Sequence, residues 1–574
     1  MKNFAQLKKN LKEDFINLKV IKVAILADTA TQLLKQALEG RGYDKGYNVK
    51  IWEAAFQQTE LQVFTQTSEL YGFEPEFVII FHSSHKLLSK YNKLAPDQYT
   101  LLAANELKLI HNIHSTISNR LNAKIIYYNY PEIDDSVFGN FSNKIESSFL
   151  FQLRKLNYEL MLFSAQNSNF HICDISTIQN RIGKHNFFHP ATYINTEMVL
   201  SIDALPAIAS KTVDLISVLN GSLKKCVILD LDNTLWGGVI GDDGLEKIEI
   251  GSLGIGKAYT EFQYWIKKLK NRGIILAVCS KNYESVAKEP FKNHPDMILQ
   301  LDDFSIFVAN WENKVDNIRH IQKVLNIGFD SMVFIDDNPF ERNLVREQLT
   351  EVTVPELPED PADYLEYLYS LNLFETASFS EEESGRSKLY QLAAERNVAQ
   401  RSFTNEDEFL QSLGMIALVE SFNEFNTPRV AQLSQRSNQF NLRTVRYSES
   451  DIASLSRSGF HFTFSFTLED KFGNHGLICA VVLRKEDPQT LFIESWFMSC
   501  RVLNHGMENF VFNTISGFAK DNGFLNLKGE FIPTGKNNLV QNLYFTLGFG
   551  QQGDYWECSL NHAENKKSFI QMKA

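Results

Sequence analysis

Three short apolar runs constrain this chain more than any other feature. They are VILDLDNTLWGG (Val227–Gly238), LAVCSKN (Leu276–Asn282) and MVFIDDNPFER (Met332–Arg342), and each passes from apolar residues to carboxylate, hydroxyl or amide residues within one or two positions. A continuous apolar run this short reads as a strand buried on both faces, the signature of a parallel sheet covered by helices. In open sheets of that kind, ligands gather at the carboxyl ends of the strands, where the polar residues of all three runs fall. The middle of the chain, about residues 220–375, is therefore expected to be a parallel α/β domain with a site at one sheet edge.

The chemistry at that edge follows from residue types. Asp230 and Asp232 stand two apart at a strand end and share a face if the strand continues. Carboxylates that close repel one another, so a cation or a shared proton has to offset the charge; Mg2+ is the expected cation for an oxygen-rich site that handles phosphate. Downstream come Ser280, then Lys314 in WENKVDNI, then Asp336 and Asp337. The order DxDxT, Ser, Lys, DD resembles the four motifs of the haloacid-dehalogenase (HAD) superfamily. That resemblance implies Asp230 as the nucleophile that takes phosphorus and Asp232 as general acid and base. It implies Ser280 and Lys314 as holders of the phosphoryl oxygens. Asp337 and Asp336 would complete a metal shell with Asp230 and the backbone carbonyl of Asp232. A lone DxD or a lone strand-end Asp is more often a solvated turn, and the weight here rests on four elements in order.

At 574 residues the chain is too long for one core, and about three or four domains are expected. A 44% hydrophobic, 22% charged composition is that of an ordinary globular protein, and a net charge of −12 argues against nucleic acid as a general partner. The six cysteines show no paired or zinc-ligand spacing, which suits reduced thiols and a cytoplasmic location. The N-terminal MKNFAQLKKNLKEDF reads as a charged amphipathic helix, not a signal peptide, and no apolar run is long enough for a membrane span. Residues 1–215 alternate strand-like runs (VIKVAILAD, VKIWEAA, FVIIFH, AKIIYYNY) with helical spacing, another parallel α/β pattern. VPELPEDPADY (Val354–Tyr364) reads as a domain exit, and FETASFSEEESGRSKLYQLAAERN as a loop leading into a helix. Residues 380–574 combine FHFTFSFTL, LICAVVLR and TLFIESWFM with a helix after Gly506, an α+β pattern with an antiparallel core.

The string DLDNTLWGGVIGDDGLEKIEIG, together with CSKN, W-x-NK-x-x-NI and FIDDNPFER, resembles the FkbH-like family of HAD proteins. LSQRSNQFNLRTVRYS (Leu433–Ser448), EDKFGNHGLI, SCRVLNHGME (Ser499–Glu508) and PTGKNNLV extend the resemblance across the chain after about residue 220. The family implies a glyceryl transferase. Such an enzyme takes a 1,3-bisphosphoglycerate-like, phosphorylated three-carbon acid, removes phosphate, and loads the glyceryl unit onto the phosphopantetheine thiol of an acyl carrier protein for polyketide-type assembly. On this reading Cys279 is the first candidate for a thiol that carries the glyceryl group, and Cys500 the second. An isolated strand Cys is usually a small buried hydrophobe, and alternation along AVCS points the Cys279 sulfur either way.

Two flanking resemblances complete the expected architecture: a central HAD-like (Rossmannoid) sheet between an SGNH-like α/β domain and a GNAT-like α+β domain. AILADTATQLL is similar to the first block of SGNH hydrolases, but Ala27, Asp28 and Thr29 stand where Gly-Asp-Ser is expected. His185 and His189 lack the preceding Asp, so the domain is expected to be non-catalytic and to serve as a docking surface. RVLNHG (Arg501–Gly506) stands where a GNAT fold grips pyrophosphate, with the glycine delayed, and Arg501 and Gly506 are the candidate binders of a cofactor or carrier arm. Asn438, Asn441 and Lys536 are further polar candidates. The rivals are a plain phosphatase on a small phosphate ester, an acyltransferase that uses acyl-CoA, and a carrier-protein scaffold with a vestigial site.

Overall fold

The structure is a computed structural model; it describes residues 2–377 and 403–573 apart from Asn504, together with Leu392 and Arg396. The stretch expected to run as a loop into a helix after Phe374 falls largely outside these residues. The chain forms two compact units, Met1–Ser217 and Val218–Ala574.

In the first unit, strands β1 (Lys19–Ala27), β2 (Tyr47–Glu53), β3 (Phe77–Phe81), β4 (Lys124–Tyr128) and β5 (Phe170–Cys173) form one sheet in the order β2-β1-β3-β4-β5. Every neighbouring pair is parallel. The β3 run is buried throughout, which explains why it reads as unbroken apolar sequence. The order reverses between β1 and β3, and their carboxyl ends meet there, the Ser83 amide donating to the Asp28 carboxylate. The N-terminal helix covers only Phe4–Asn10 and stops short of the charged LKEDF that was expected to extend it.

The second unit holds two sheets. In the first, β6 (Cys226–Leu229), β7 (Ile275–Ser280), β8 (Phe304–Ala309) and β9 (Met332–Ile335) pair in parallel in the order β8-β7-β6-β9. Strands β6, β7 and β9 are the three apolar runs. Strand β8 is the one the sequence pattern missed: it sits on the sheet edge, and its middle residues are only half-buried. Helices Gly256–Asn271 and Lys314–Leu325 connect the strands, and Phe262, Ile266 and Leu269 of the first pack on one sheet face with Val227, Leu229 and Val278. The opposite face, with Cys226, Ile228 and Phe334, packs on Val315, Ile318 and Ile321 of the second.

The second sheet has eight strands: β10 (Ile416–Glu420), β11 (His461–Asp470), β12 (Gly473–Lys485), β13 (Thr490–Met498), β14 (Asn526–Glu530), β15 (Gly550–Gln552), β16 (Tyr555–Ser559) and β17 (Gln571–Met572). Their order is β15-β16-β14-β13-β12-β11-β10-β17, and pairing is antiparallel except for β13 with β14 and β10 with β17. The expected strands LICAVVLR and TLFIESWFM fall within β12 and β13, and FHFTFSFTL falls in β11 apart from Phe460, which precedes it. The expected helix after Gly506 runs over Met507–Asp521, with Gly506 as its N-cap at φ 73°, a left-handed conformation that glycine adopts without steric cost. No helix among the described residues is long and apolar enough to cross a membrane.

Candidate active site

Strand β6 ends at Leu229, and the next residue, Asp230, points its carboxylate out of the sheet edge. Its Oδ2 lies 2.8 Å from Nζ of Lys314, the first residue of helix Lys314–Leu325. The same Nζ lies 2.6 Å from Oδ2 of Asp336, which follows β9. Each of Asp230, Asp336 and Asp337 offers a carboxylate oxygen, and the three oxygens lie within 4.8 Å of one another. Lys314, Asp230 and Asp336 are buried, and one lysine does not offset three acids. Burial and then the charge of Asp230 push the Asp336 carboxyl well above its ordinary range, against the pull of Lys314. Burial likewise raises Asp337, with Asp230 next. Burial opposes the charge of Lys314, but Asp230 and Asp336 hold its ammonium well above the ordinary lysine range.

One atom tests whether a cation fits. Oδ1 of Asp230 is buried and has no hydrogen-bond partner among the described residues, an arrangement that costs free energy unless a ligand meets the oxygen. A hard divalent ion takes oxygen donors of this kind, and Asp230, Asp336 and Asp337 are the residues placed to hold it.

Asp232 lies apart from that cluster. Its Oδ1 accepts hydrogen bonds from Trp236 Nε1 at 2.9 Å and the Ile240 amide at 3.0 Å, and its Oδ2 accepts from Asn282 Nδ2 at 3.1 Å. The side chain is thus oriented by three donors, and it is not one of the clustered carboxylates. Burial raises its pKa despite the Ile240 and Trp236 bonds, which suits a group that must hold a proton before giving it up. Directly after the second acid the chain turns at Asn233, in the left-handed region at φ 53°, a conformation asparagine tolerates better than most residues. Its Oδ1 accepts from the Gly238 amide, which locks the loop. Ser280 ends β7, buried at the same edge, and its carbonyl accepts the Asn310 amide.

Several groups at the site escaped the sequence reading. Thr234 Oγ1 donates to Asp337 Oδ1 and accepts the Asp337 amide, tying the β6 loop to the β9 loop. Arg342 donates to the carbonyls of both Asp336 and Asp337 and pairs with Glu356, which fixes the DD turn from beneath. Asn282 was visible as the last letter of CSKN, two residues past Ser280, but its role depends on a contact with Asp232 across 50 residues.

Cys279 is a correction. Its sulfur points into the sheet face covered by helix Lys314–Leu325, among Cys226, Ile228 and Phe334, where it is fully buried and donates weakly to the Lys314 carbonyl at 3.8 Å. Burial pushes the thiol far above its ordinary range, so it has neither the access nor the ionisation of a nucleophile. Cys500 is partly exposed and lines a cavity of about 210 Å³ with Lys225, Asp330, Arg436, Met498 and Lys536. That cavity opens beside Lys225, which precedes β6, whereas Asp230 follows it, so the two lie at opposite ends of the strand and Cys500 is not gathered with the carboxylates.

The remaining candidates hold structure. Asn438 donates to the Gly221 carbonyl, Asn441 forms a turn with Thr444 and Val445, and Lys536 pairs with Asp330. Gly506 caps its helix, and the side chain of Arg501 lies outside the described residues. Beyond Ile493 and Gly529 strands β13 and β14 no longer pair, and Phe440–Leu442 fills the wedge. The Met498 amide donates to the Phe440 carbonyl, the Leu442 amide to Trp496, and the Ile532 amide to Leu442. In the first unit, Thr29 Oγ1 donates to the Glu197 carbonyl, and His189 caps helix Pro190–Thr196. His185 lies in the short helix Lys184–Phe187. No His–Asp pair hydrogen-bonds Thr29 among the described residues.

Comparison with known proteins fits this geometry. FkbH, N-terminal domain, matches residues 22–217. A crystal structure of the N-terminal part of the protein BF1531 from Bacteroides fragilis, containing a phosphatase domain and complexed with Mg, is 56% identical with a TM-score of 0.64, covering 66% of this chain and all of that one. Matches at lower identity include the ribosomal-protein-S18-alanine N-acetyltransferase from Escherichia coli (14% identical, 26% of this chain, 99% of that one, TM-score 0.21). Spermidine N-acetyltransferase from Vibrio cholerae is another (12% identical, 25% of this chain, 96% of that one, TM-score 0.22). No curated protein matches. The parallel β8-β7-β6-β9 sheet, with its acids, serine and lysine at one edge, makes the middle of this chain a domain of the HAD type. The chain belongs to the FkbH-like family.

Proposed function

We propose that this protein is a magnesium-dependent HAD-type phosphatase that works through Asp230 and passes a three-carbon acyl unit to a carrier protein. The observation that carries the reading is the buried, unpartnered Oδ1 of Asp230 at the centre of three carboxylates and one lysine. Bound by Asp230, Asp336 and Asp337, Mg2+ would supply positive charge against the phosphoryl oxygens.

The protein's own groups then account for each proton and bond. An Asp230 carboxylate oxygen attacks phosphorus and the ester oxygen–phosphorus bond breaks, with the leaving oxygen taking the proton of Asp232. Water attacks the aspartyl-phosphate, giving its proton to Asp232, and inorganic phosphate departs with Asp230 restored. Lys314 and Ser280 stand at the same edge to meet the phosphoryl oxygens as their charge grows. Acyl transfer is separate chemistry: a thiolate sulfur attacks the carbonyl of an acyl phosphate, a carbon–sulfur bond forms and phosphate leaves. The family resemblance supports a phosphopantetheine thiol on an acyl carrier protein as the acceptor and a 1,3-bisphosphoglycerate-like donor. Three functional regions, near 1–215, 220–375 and 380–574, belong to the same reading.

The test is incubation with 1,3-bisphosphoglycerate, Mg2+ and a carrier protein bearing its thiol arm, followed by mass measurement of the carrier. Added glyceryl mass supports transfer. Phosphate release with an unchanged carrier leaves the plain phosphatase. If neither occurs, both readings fall.

A further inference from the structure

Away from the clustered carboxylates, at the amino ends of β6 and β9, lies the cavity of about 210 Å³ that Cys500 lines. Stretches far apart in the chain meet around it, and they carry the signatures that phosphoryl transfer leaves unused. Residues 436–440 come from LSQRSNQFNLRTVRYS, Ser499 and Cys500 from SCRVLNHGME, and Gly535 and Lys536 from PTGKNNLV. Lys225 and Ser331, the residues just before β6 and β9, close the other side.

The cavity is cationic in a chain whose net charge is −12. Four cations line it, Lys225, Arg429, Arg436 and Lys536, against two acids, Asp330 and Glu351, which leaves two positive charges over. The titrating groups feel that field. Burial works to raise the Asp330 carboxyl, yet Lys536, Lys225 and Lys224 hold it below its ordinary value. Burial and then the charge of Arg272 pull the Arg436 guanidinium below its own. The cations crowd one another, and a bound anion would relieve them. One polar atom in the wall is also unsatisfied. Ser437 is 5% exposed, and its Oγ has no hydrogen-bond partner among the described residues, although a hydroxyl can donate as well as accept.

The walls select the kind of anion. Helix Thr427–Arg436 turns its carboxyl end to this place: the Arg436 carbonyl accepts from Lys225 Nζ at 2.8 Å, and the Ser437 carbonyl from Arg446 at 2.8 Å. Phosphate is drawn to the opposite, amide-bearing end of a helix. Here the donors are side chains, and a guanidinium with a hydroxyl suits the two oxygens of a carboxylate. Ile327, Leu433, Phe440 and Met498 add apolar surface for a carbon body. The cavity exceeds what a lone oxyanion needs and falls below the roughly 300–1,000 Å³ of sites for drug-sized ligands.

We propose that this cavity is a binding site for a small aliphatic dicarboxylate, separate from the metal site, with Arg436 and Lys536 meeting its charges and Ser437 donating to a carboxylate oxygen. Two carboxylates match the two positive charges left over, and the short carbon chain between them lies on the apolar wall.

The test is calorimetric titration of the full chain with succinate, glutarate and sodium phosphate, at one ionic strength and without Mg2+, so that no acid is held through a metal. At least one dicarboxylate is expected to bind one to a chain, more tightly than phosphate, and to slow labelling of Cys500 by an uncharged thiol reagent. Ser437→Ala removes a hydroxyl that has no partner to lose, and it is expected to weaken that dicarboxylate about tenfold, the worth of a hydrogen bond to a charged group. Lys536→Gln gives up an exposed pair with Asp330, a loss the fold tolerates, and is expected to weaken it as well. No heat from either dicarboxylate, phosphate binding more tightly than both, binding unmoved by both substitutions, or Cys500 labelled as fast with the acid as without it overturns the proposal.

Discussion

Lys314 Nζ stands 2.8 Å from Asp230 and is buried there with it, so the carboxylate that follows β6 and the first residue of the helix after β8 form one electrostatic unit. Removing one partner from a buried pair leaves an uncompensated charge, which costs about 3–5 kcal/mol. Lys314→Met should therefore lower stability by several kcal/mol in denaturant titrations. Because Asp230, Asp336 and Asp337 then repel without relief, added Mg2+ should recover much of the loss. A Lys314→Met protein as stable as the wild type would show that the pair is not formed.

The first unit carries a pH dependence of its own. Asp28 takes two contacts from the Ser83 amide, but burial outweighs them and pushes its carboxyl up to about 7. A carboxyl that is raised in the folded state binds its proton more tightly there than in the unfolded chain. Its contribution is full below the unfolded value of 3.8 and is lost as pH climbs toward about 7. Stability should fall across that window by up to about 1.4 kcal/mol per pH unit from this group. Asp28→Asn should remove the slope, and unfolding curves from pH 4 to 8 for the two proteins check it.

Thiol labelling separates the two cysteine candidates. Cys279 should resist a thiol reagent until the protein unfolds, and Cys279→Ala should retain phosphate release while losing about 1 kcal/mol of stability from the small cavity. Cys500, partly exposed on its cavity, should label in the folded protein. Rapid labelling of Cys279 would place its sulfur on the other face of β7.

Coenzyme A should give no heat on titration. The wedge between β13 and β14 presents its backbone amides to Phe440–Leu442, so an extended pantetheine chain would have to displace a segment that bonds to both sides. Measurable binding would mean that this segment moves aside.

Much of this was legible in the sequence because buried parallel strands announce themselves: VILD, ILAVCS and MVFIDD are apolar up to the polar residues that gather at the sheet edge. Strand β8 was not legible, since Ser305 and its half-exposed centre blur the run at the sheet edge. The facing of Cys279 was undecidable because every residue of β7 is buried, and a strand apolar on both faces carries no alternation to read. Lys314, Ser280 and the two acid pairs lie in local motifs. Thr234, Asn282 and Arg342 act through contacts that only the folded chain creates, and their letters alone resemble a turn threonine, a turn asparagine and a surface arginine. The resemblance of RVLNHG to a pyrophosphate loop likewise said nothing about Phe440–Leu442, which lies some 60 residues earlier in the chain.

Phosphoryl capture by Asp230 tests the account most directly. The full chain and its Asp230→Asn variant would be incubated with Mg2+ and a phosphate ester, quenched in acid and digested, and the peptide spanning Val227–Gly238 weighed. The account predicts one phosphoryl group on that peptide in the wild type, none in the variant, and a fall in phosphate release of at least about a thousandfold. Undiminished release by Asp230→Asn, or a phosphoryl group on a different peptide, would contradict it.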